Sequence, residues 1–327
     1  MIIKASDKVA SEILLSHYRL ERPVPWSAQF SAVRPMEVEI GFGLGEYLIR
    51  LAQQYPDRNF VGIEQDWQRV TKALRHIERV KNASRDDVFH NLRLLHVDAG
   101  VAFERLFRPQ SIHRIFALFP CPWPKKKHYK HRLFSRDFLK LINSRLIDGG
   151  EVRIVTDDRK YFSWVLEEME GTGFKAKPDV ITPRFDTKFE RKWREAGQQE
   201  FFALELVKNA HIPVPVSEDR ELKIYFIEDF DAGRFEFPNI IAGEAATSII
   251  LKEFIFDPKQ NKGIAHLVVA EPKITQHVWV TVAAASGAAS GRWCLSLTMG
   301  QTVLPTDGVV RALEVFYEAA KHSTTHH

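Results

Sequence analysis

The sequence predicts an α/β fold, a doubly wound and largely parallel sheet, followed by a small α+β domain. Three observations lead there. From Met36 to Val207, short apolar runs alternate with amphipathic stretches of helical length, the pattern of βαβ units whose sheet is covered on both faces. A glycine-rich loop, Gly41-Phe42-Gly43-Leu44-Gly45, stands where the first run meets the first amphipathic stretch, the place where doubly wound sheets bind ligands. Beyond residue 210 strand-like runs follow one another and a single amphipathic stretch closes the chain.

Taken in order, residues 1–35 are mixed and are broken by Pro23, Pro25 and Pro35, so they read as a mobile arm or lead-in. Strands are expected at Met36–Ile40, Phe60–Ile63, Leu92–His96, Ile112–Phe119, Glu151–Val155 and Glu200–Val207. Helices are expected at Glu46–Gln54, Asp66–Asn82, Ala99–Phe107, Ser135–Leu146 and Arg159–Glu170. The run TPRFDTKFERKWREAG, starting at Thr182, reads as a polar loop leading into a short basic helix. These elements make up one domain over residues 36–210. Residues 211–220 read as a linker, with Pro213 and Pro215 restricting the backbone. Residues 221–321 read as a domain of their own. Its strands are expected at Leu222–Ile227, Ile249–Phe256, Gly263–Val269, His277–Ala283 and Trp293–Leu297, with a final helix at Val309–Lys321. Residues 322–327 read as a disordered tail.

Composition narrows the function classes. The 327 residues are 45% hydrophobic and 27% charged, ordinary for a globular protein with a real core. No stretch of eighteen uncharged apolar residues occurs, so no membrane span is expected. With only Cys121 and Cys294, a disulfide framework or cysteine zinc site is not expected, and a reducing cytoplasm fits. His76, His90, His96 and His113 show no convergent ligand spacing, so no metal is expected. Charge is uneven: residues 1–210 hold 36 Lys and Arg against 28 Asp and Glu, and the remainder holds 10 against 14. A polyanionic partner is therefore expected to meet the first two thirds of the chain.

Three groups of residues carry chemistry. The glycine loop follows Glu39 and has the spacing G-x-G-x-G. That is a poor match to a dinucleotide pyrophosphate site, and a carboxylate at Glu39 repels phosphate while welcoming a cationic sulfonium and amino group. S-adenosylmethionine is the cofactor this favours, contacted at Glu39, Gly41, Gly43 and Gly45. Glu64, about twenty residues on at the end of the second strand, is placed to accept from ribose hydroxyls. Asp98, after the third, is placed to meet an adenine amino group, and reads equally well as a helix N-cap. The third group is the loop from Phe119 to Arg132, FPCPWPKKKHYKHR. Its prolines stiffen it, Trp123 and Tyr129 offer stacking faces to a base, and Lys125, Lys126, Lys127, Lys130 and Arg132 are cations for phosphates.

These motifs, in this order, make the stretch from Val38 to Val207 resemble the bacterial tRNA (guanine-N7)-methyltransferases. The resemblance rests on E-I-G-F-G-x-G at Glu39–Gly45, the proline-tryptophan-proline basic loop, Thr156-Asp157, and the T-K-F-E-x-R box at Thr187–Lys192, with Arg191 one place early. It implies a seven-stranded, Rossmann-like methyltransferase sheet whose last strand is antiparallel, with tRNA as partner. It also implies cofactor contacts at Glu39, Glu64, Asp98 and the position of Cys121. Target-nucleotide contacts are implied at Lys125, Asp157, Thr187, Lys188, Phe189 and Glu190. In the family pattern the residue between Pro120 and Pro122 is a catalytic aspartate; here it is Cys121. Guanine N7 attacks with a free lone pair, so no base must remove a proton, but the product ring gains positive charge that an anion would stabilise. With Cys121 in that place, activity would rest on Asp157, Glu190 and proximity. Two alternatives follow from the cysteine: a weakened or inactive tRNA-binding protein, and a cytosine-C5 methyltransferase with Cys121 as nucleophile. The alternation at His277–Val282 suits a half-buried sheet that packs on a catalytic domain or a second subunit, so a homodimer is also among the expectations.

Overall fold

The computed structural model describes residues 7–83, 89–240, 246–285 and 292–323. It divides into two compact units, Met1–Ser217 and Glu218–His327.

In the first unit the strands are β1 (Leu14–Leu15), β2 (Met36–Ile40), β3 (Asn59–Glu64), β4 (Leu92–His96), β5 (Ile112–Leu118), β6 (Leu146–Thr156), β7 (Phe174–Ile181) and β8 (Phe201–Lys208). They form one sheet in the order β1-β4-β3-β2-β5-β6-β8-β7. Pairing is parallel except at β8, which runs antiparallel to both its neighbours. The helices are α1 (Asp7–Ile13), α2 (Trp26–Gln29), α3 (Glu46–Gln54), α4 (Trp67–Ala83), α5 (Ala99–Arg105), α6 (Arg136–Arg145), α7 (Arg159–Glu167) and α8 (Lys188–Glu195). Chain order reverses between β2 and β5, because β3 and β4 build outward on one side and β6 on the other. The crevice at the carboxyl ends of these two strands is where such sheets hold ligands.

Two departures from the sequence reading concern the sheet's edges. Eight strands are present where the family resemblance implies seven; the addition is β1, two residues paired with β4. It belongs to a lead-in whose described part, residues 7–35, packs on the first unit. Ile13 and Val24 are almost fully buried, and Val9 and Ile13 share a core with Leu74, Ile77 and Leu92. Trp26 donates to the Leu106 carbonyl and stacks on Phe107 at 5.1 Å. Burying each such aliphatic side chain contributes roughly 1.5–3 kcal/mol, enough to outweigh the local breaking by prolines. At the other edge, β7 went unread in the sequence because Lys175, Lys177, Pro178 and Asp179 hide its pattern. An edge strand tolerates a proline and charges that an interior strand does not.

The stretch 211–217, expected as part of a linker, is tied to the first unit. Arg145, fully buried at the end of α6, donates to the carbonyls of Phe103, Val214 and Pro215 and to the Ser144 hydroxyl. Burial lowers its pKa to about 10, so the guanidinium stays charged at neutral pH. Asn143 accepts from Ile212 N and donates to Ala210 O.

The second unit is an antiparallel sheet in the order β10-β11-β12-β13-β9, from β9 (Tyr225–Ile227), β10 (Ser248–Asp257), β11 (Lys262–Glu271), β12 (Ile274–Ala284) and β13 (Trp293–Leu297). One helix, α9 (Asp307–His322), lays Val309, Ala312, Leu313 and Phe316 on Leu267, Val278, Val280 and Leu295. Thr306 caps it, and Glu271 accepts from both Thr306 Oγ1 and Gly308 N. The helix runs through His322, and the rest of the expected tail, residues 324–327, lies outside the described residues.

Candidate active site

β2 is buried along its whole length, and it carries two glutamates inward. Glu37 is compensated by Arg58 at 2.6 Å and Arg114 at 3.6 Å. Glu39 is not: its Oε2 has no hydrogen-bond partner although the residue is 3% exposed. Burial pushes its pKa up to about 8, with Arg50 opposing and Glu64 adding to the rise. The loop above it turns through Gly41 and Gly43 with φ of +71° and +58°; the space beside Gly41 is open, and a Cβ at Gly43 would meet only the Gly41 carbonyl oxygen, at 3.9 Å. A side chain there would strain the backbone and fill the space a ligand would use.

Glu64, at the end of β3, is as buried as Glu39 but well satisfied. It accepts from Gly43 N at 3.0 Å and from Gln65 N and Asp66 N at 3.0 Å, with Arg69 at 3.7 Å. Asp98, after β4, takes the N-cap of α5 by accepting from Val101 N, the local alternative its residue type favours.

The start of α8 forms the opposite wall. A cleft is lined by Glu39, Gly41, Gly43, Leu118 and the residues Thr187, Lys188 and Phe189, so the glycine loop and the T-K-F-E box, almost 150 residues apart, share one cavity. Within that wall, Thr187 caps α8 by accepting from Glu190 N. Glu190 is 3% exposed and accepts from Arg184 N at 2.7 Å, Phe185 N at 3.1 Å and Asp186 N. Its carboxylate shapes the turn. Phe189 is 38% exposed and has the Arg69 guanidinium 5.9 Å from its ring.

The loop after β5 is held in an uncommon conformation. Phe119 and Trp123 have φ of +55° and +45°, each costing roughly 1–3 kcal/mol for a non-glycine residue. Phe119 N donates to Val155 O at 2.7 Å and its ring packs edge-on against Phe201. Arg132 does the rest, and here the sequence reading needs correcting. It is 4% exposed, donates to Pro122 O at 2.9 Å, and sits 3.6 Å over Tyr129 and 4.9 Å over Trp164. It is a clamp for the loop and is not available to a phosphate; one face of Tyr129 is taken by it. Cys121 and the four lysines Lys125, Lys126, Lys127 and Lys130 are exposed, and Trp123 clusters with the rings of His128 and His131, at 5.6 and 5.3 Å. Asp157 ends the neighbouring turn after β6, half-buried, and burial raises its carboxyl pKa above the usual range.

Comparison with known proteins agrees with this architecture. A family described as "Putative methyltransferase" matches residues 33–203. The chain belongs to that methyltransferase family. Among curated relatives, the tRNA (guanine-N(7)-)-methyltransferase of Chlorobium phaeobacteroides is 47% identical over 177 residues, 54% of this chain and 83% of that protein. The proteins of the same name from Thermotoga maritima and Thermus thermophilus are each 35% identical, over 58% and 57% of this chain. The chain spans 60% and 58% of their lengths.

In this methyltransferase several site-building residues escaped the sequence reading. Glu46 and Arg50 on α3 look like an ordinary i, i+4 helical pair, yet both reach the α8 wall. Glu46 accepts from Lys188 N at 2.7 Å and Arg191 Nη2 at 2.5 Å, and Arg50 donates to Phe185 O. Arg191, the residue out of step with the family box, is the partner of Glu46. Tyr47 packs edge-on between Phe116 and Phe185.

Proposed function

We infer that this methyltransferase uses S-adenosylmethionine to methylate N7 of a guanosine in tRNA, in the variable region by family resemblance. The observation that carries the cofactor is Glu39: a buried carboxyl with an unpartnered oxygen beneath an open glycine loop suits a ligand that brings positive charge. Glu39 and the glycine loop would hold it, with Glu64 fixing the loop from below and Asp98 at the next strand end. Bound there, the cofactor supplies an electrophilic methyl group on a sulfonium.

The chain's own residues do the remainder. N7 of guanine needs no proton removed, so the site's tasks are alignment and charge. The stiff loop from Phe119 to Trp123 and the wall at Thr187, Lys188 and Phe189 flank the cleft and restrict how a base enters. Trp123 offers it a stacking face, and Lys125 and Asp157 are the target-nucleotide contacts that the family resemblance implies. Asp157 is the carboxylate nearest in role to the one that Cys121 replaces, available to stabilise the ring's new positive charge. Lys126, Lys127 and Lys130 meet phosphates.

The relatives' names support guanine N7, and neither a cysteine nucleophile nor a purely binding role is favoured. Among the described residues no helix is long and apolar enough to cross a membrane; a cytoplasmic location and a homodimer belong to this same proposal, the latter read by sedimentation. The central test is transfer of labelled methyl from S-adenosylmethionine to unmodified bulk tRNA, followed by nucleoside analysis. 7-Methylguanosine is the expected product. 5-Methylcytidine would return the reaction to Cys121, and no product despite salt-sensitive tRNA binding would remove the catalytic claim.

A further inference from the structure

The α8 wall of the cleft is anchored in two different ways. At its base, Phe185 is 3% exposed and packs with Leu118, Val155, Ile181 and Phe201. The Glu190 carboxylate knots Arg184, Phe185 and Asp186 into a fixed turn, so the segment has one internal shape. Its upper end is fastened to α3 through charged groups. Glu46 takes Lys188 N on one oxygen and the Arg191 guanidinium on the other. Arg191 also donates to the carbonyl and the side chain of Asp186, and Arg50 bridges Asp186 at 3.6 Å. The Glu46 and Arg191 side chains remain 22% and 34% exposed, which leaves their pairing open to water and salt. A rigid segment with a buried base and a half-solvated ionic upper end is a wall with a latch.

We propose that Glu46 and Arg191 are positioning residues: their ion pair latches the Thr187–Phe189 wall over the glycine loop and thereby sets both cofactor residence and alignment of the target base. Glu46 lines the cleft, but its two carboxylate oxygens are taken by Lys188 N and the Arg191 guanidinium. Both residues act through Lys188 N and the first turn of α8. The placement of arginine at 191, one position early in the T-K-F-E-x-R box, is what brings a guanidinium to Glu46. This inference rests on the reading of the cleft as the S-adenosylmethionine site.

The test is stopped-flow dissociation of S-adenosylhomocysteine from the full-length protein, with Glu46→Gln, Arg191→Gln, the double variant and Arg191→Lys. Opening the latch is expected to speed dissociation about tenfold, the scale of a charge-assisted hydrogen bond. The double variant should be no faster than either single one, because each already removes the same contact. Arg191→Lys should recover most of the wild-type rate. Added salt should accelerate release from the wild type and leave the Gln variants unchanged. On tRNA, the Gln variants should lose kcat with little change in KM for tRNA. Equal release rates in wild type and variants, or additive effects with no rescue by Lys, would overturn the latch while leaving the cofactor site intact. Failure of the wild type to bind S-adenosylhomocysteine at all would instead overturn the reading of the cleft on which the latch rests.

Discussion

Glu39 and Glu64 end adjacent parallel strands and are equally buried, yet one carboxylate accepts three backbone N–H groups while the other leaves an oxygen without a partner. Glu64 is a structural anchor. Glu39 is a group the fold tolerates at a cost, and its cost depends on pH. Its folded pKa of about 8 lies above the ordinary carboxyl value of 4.5. Between those values the native state holds a proton that the unfolded chain has released, so stability falls as pH rises through that window. Glu39→Gln is therefore expected to raise the melting temperature of the ligand-free protein, with a larger gain at pH 8 than at pH 5. Thermal unfolding at both pH values measures it, and an equal or opposite change would show that Glu39 is not strained.

The same carboxyl should make cofactor binding pH-dependent. A ligand bearing an ammonium or sulfonium charge needs Glu39 ionised, and below about pH 8 that means expelling a proton. Affinity for S-adenosylhomocysteine is expected to rise about tenfold per pH unit from pH 6 toward 8. Calorimetry in buffers of different ionisation enthalpy should detect the released proton. Glu39→Gln should bind weakly with no such slope; a steep slope surviving in that variant would place the titrating group elsewhere.

Arg132 and the lysines around it separate by the same kind of reasoning. Arg132 is enclosed between Tyr129 and Trp164 and holds Pro122 O, whereas Lys126 and Lys127 are exposed. Replacing both lysines with Ala should flatten the dependence of tRNA affinity on salt by about one to two units of log–log slope. Arg132→Ala should leave that slope unchanged, cost about 2–4 kcal/mol of stability by leaving polar and aromatic groups without their partner, and lower kcat through a loosened loop. Salt titrations of tRNA binding, alongside denaturant unfolding, distinguish the two classes.

Sequence pattern carried the interior of the first unit well, and physical reasons account for where it stopped. Strands β2 and β4 and helix α3 fall where apolar runs and amphipathic stretches place them, because each is defined by burial that its own residues advertise. The edge strands β1 and β7 do not advertise burial: one is two residues long, and the other carries Lys175, Lys177 and Pro178. At the site, residue types announced Glu39 and the glycine loop, since an acid and glycines at a strand end have few other uses. They could not reveal that Glu190, Thr187 and Arg132 spend their polar groups on neighbouring backbone and rings, nor that Glu46 reaches across to Arg191. Those assignments depend on which loops meet at the carboxyl edge of the sheet, and that is a property of the folded chain.

Cys121 poses the remaining question of rate. It is exposed at the head of the stiff loop, where the family pattern has an aspartate, and a neutral thiol gives the methylated guanine no counter-charge. If Asp157 and alignment supply the catalysis, the thiol is a bystander and Cys121→Ser should keep a rate within about threefold of wild type, the span of a surface change that alters no essential contact. Cys121→Asp restores a carboxylate beside the developing positive charge and should raise kcat about tenfold or more, since one well-placed electrostatic group commonly supplies that much. Single-turnover methylation of tRNA under saturating S-adenosylmethionine isolates the chemical step from product release. A complete loss of activity in Cys121→Ser would make the sulfur a reactant, and the product would then have to be sought on a pyrimidine ring. No gain in Cys121→Asp with full activity in Cys121→Ser would mean that Asp157 already provides the counter-charge, so Asp157→Asn should then cost nearly all of the rate.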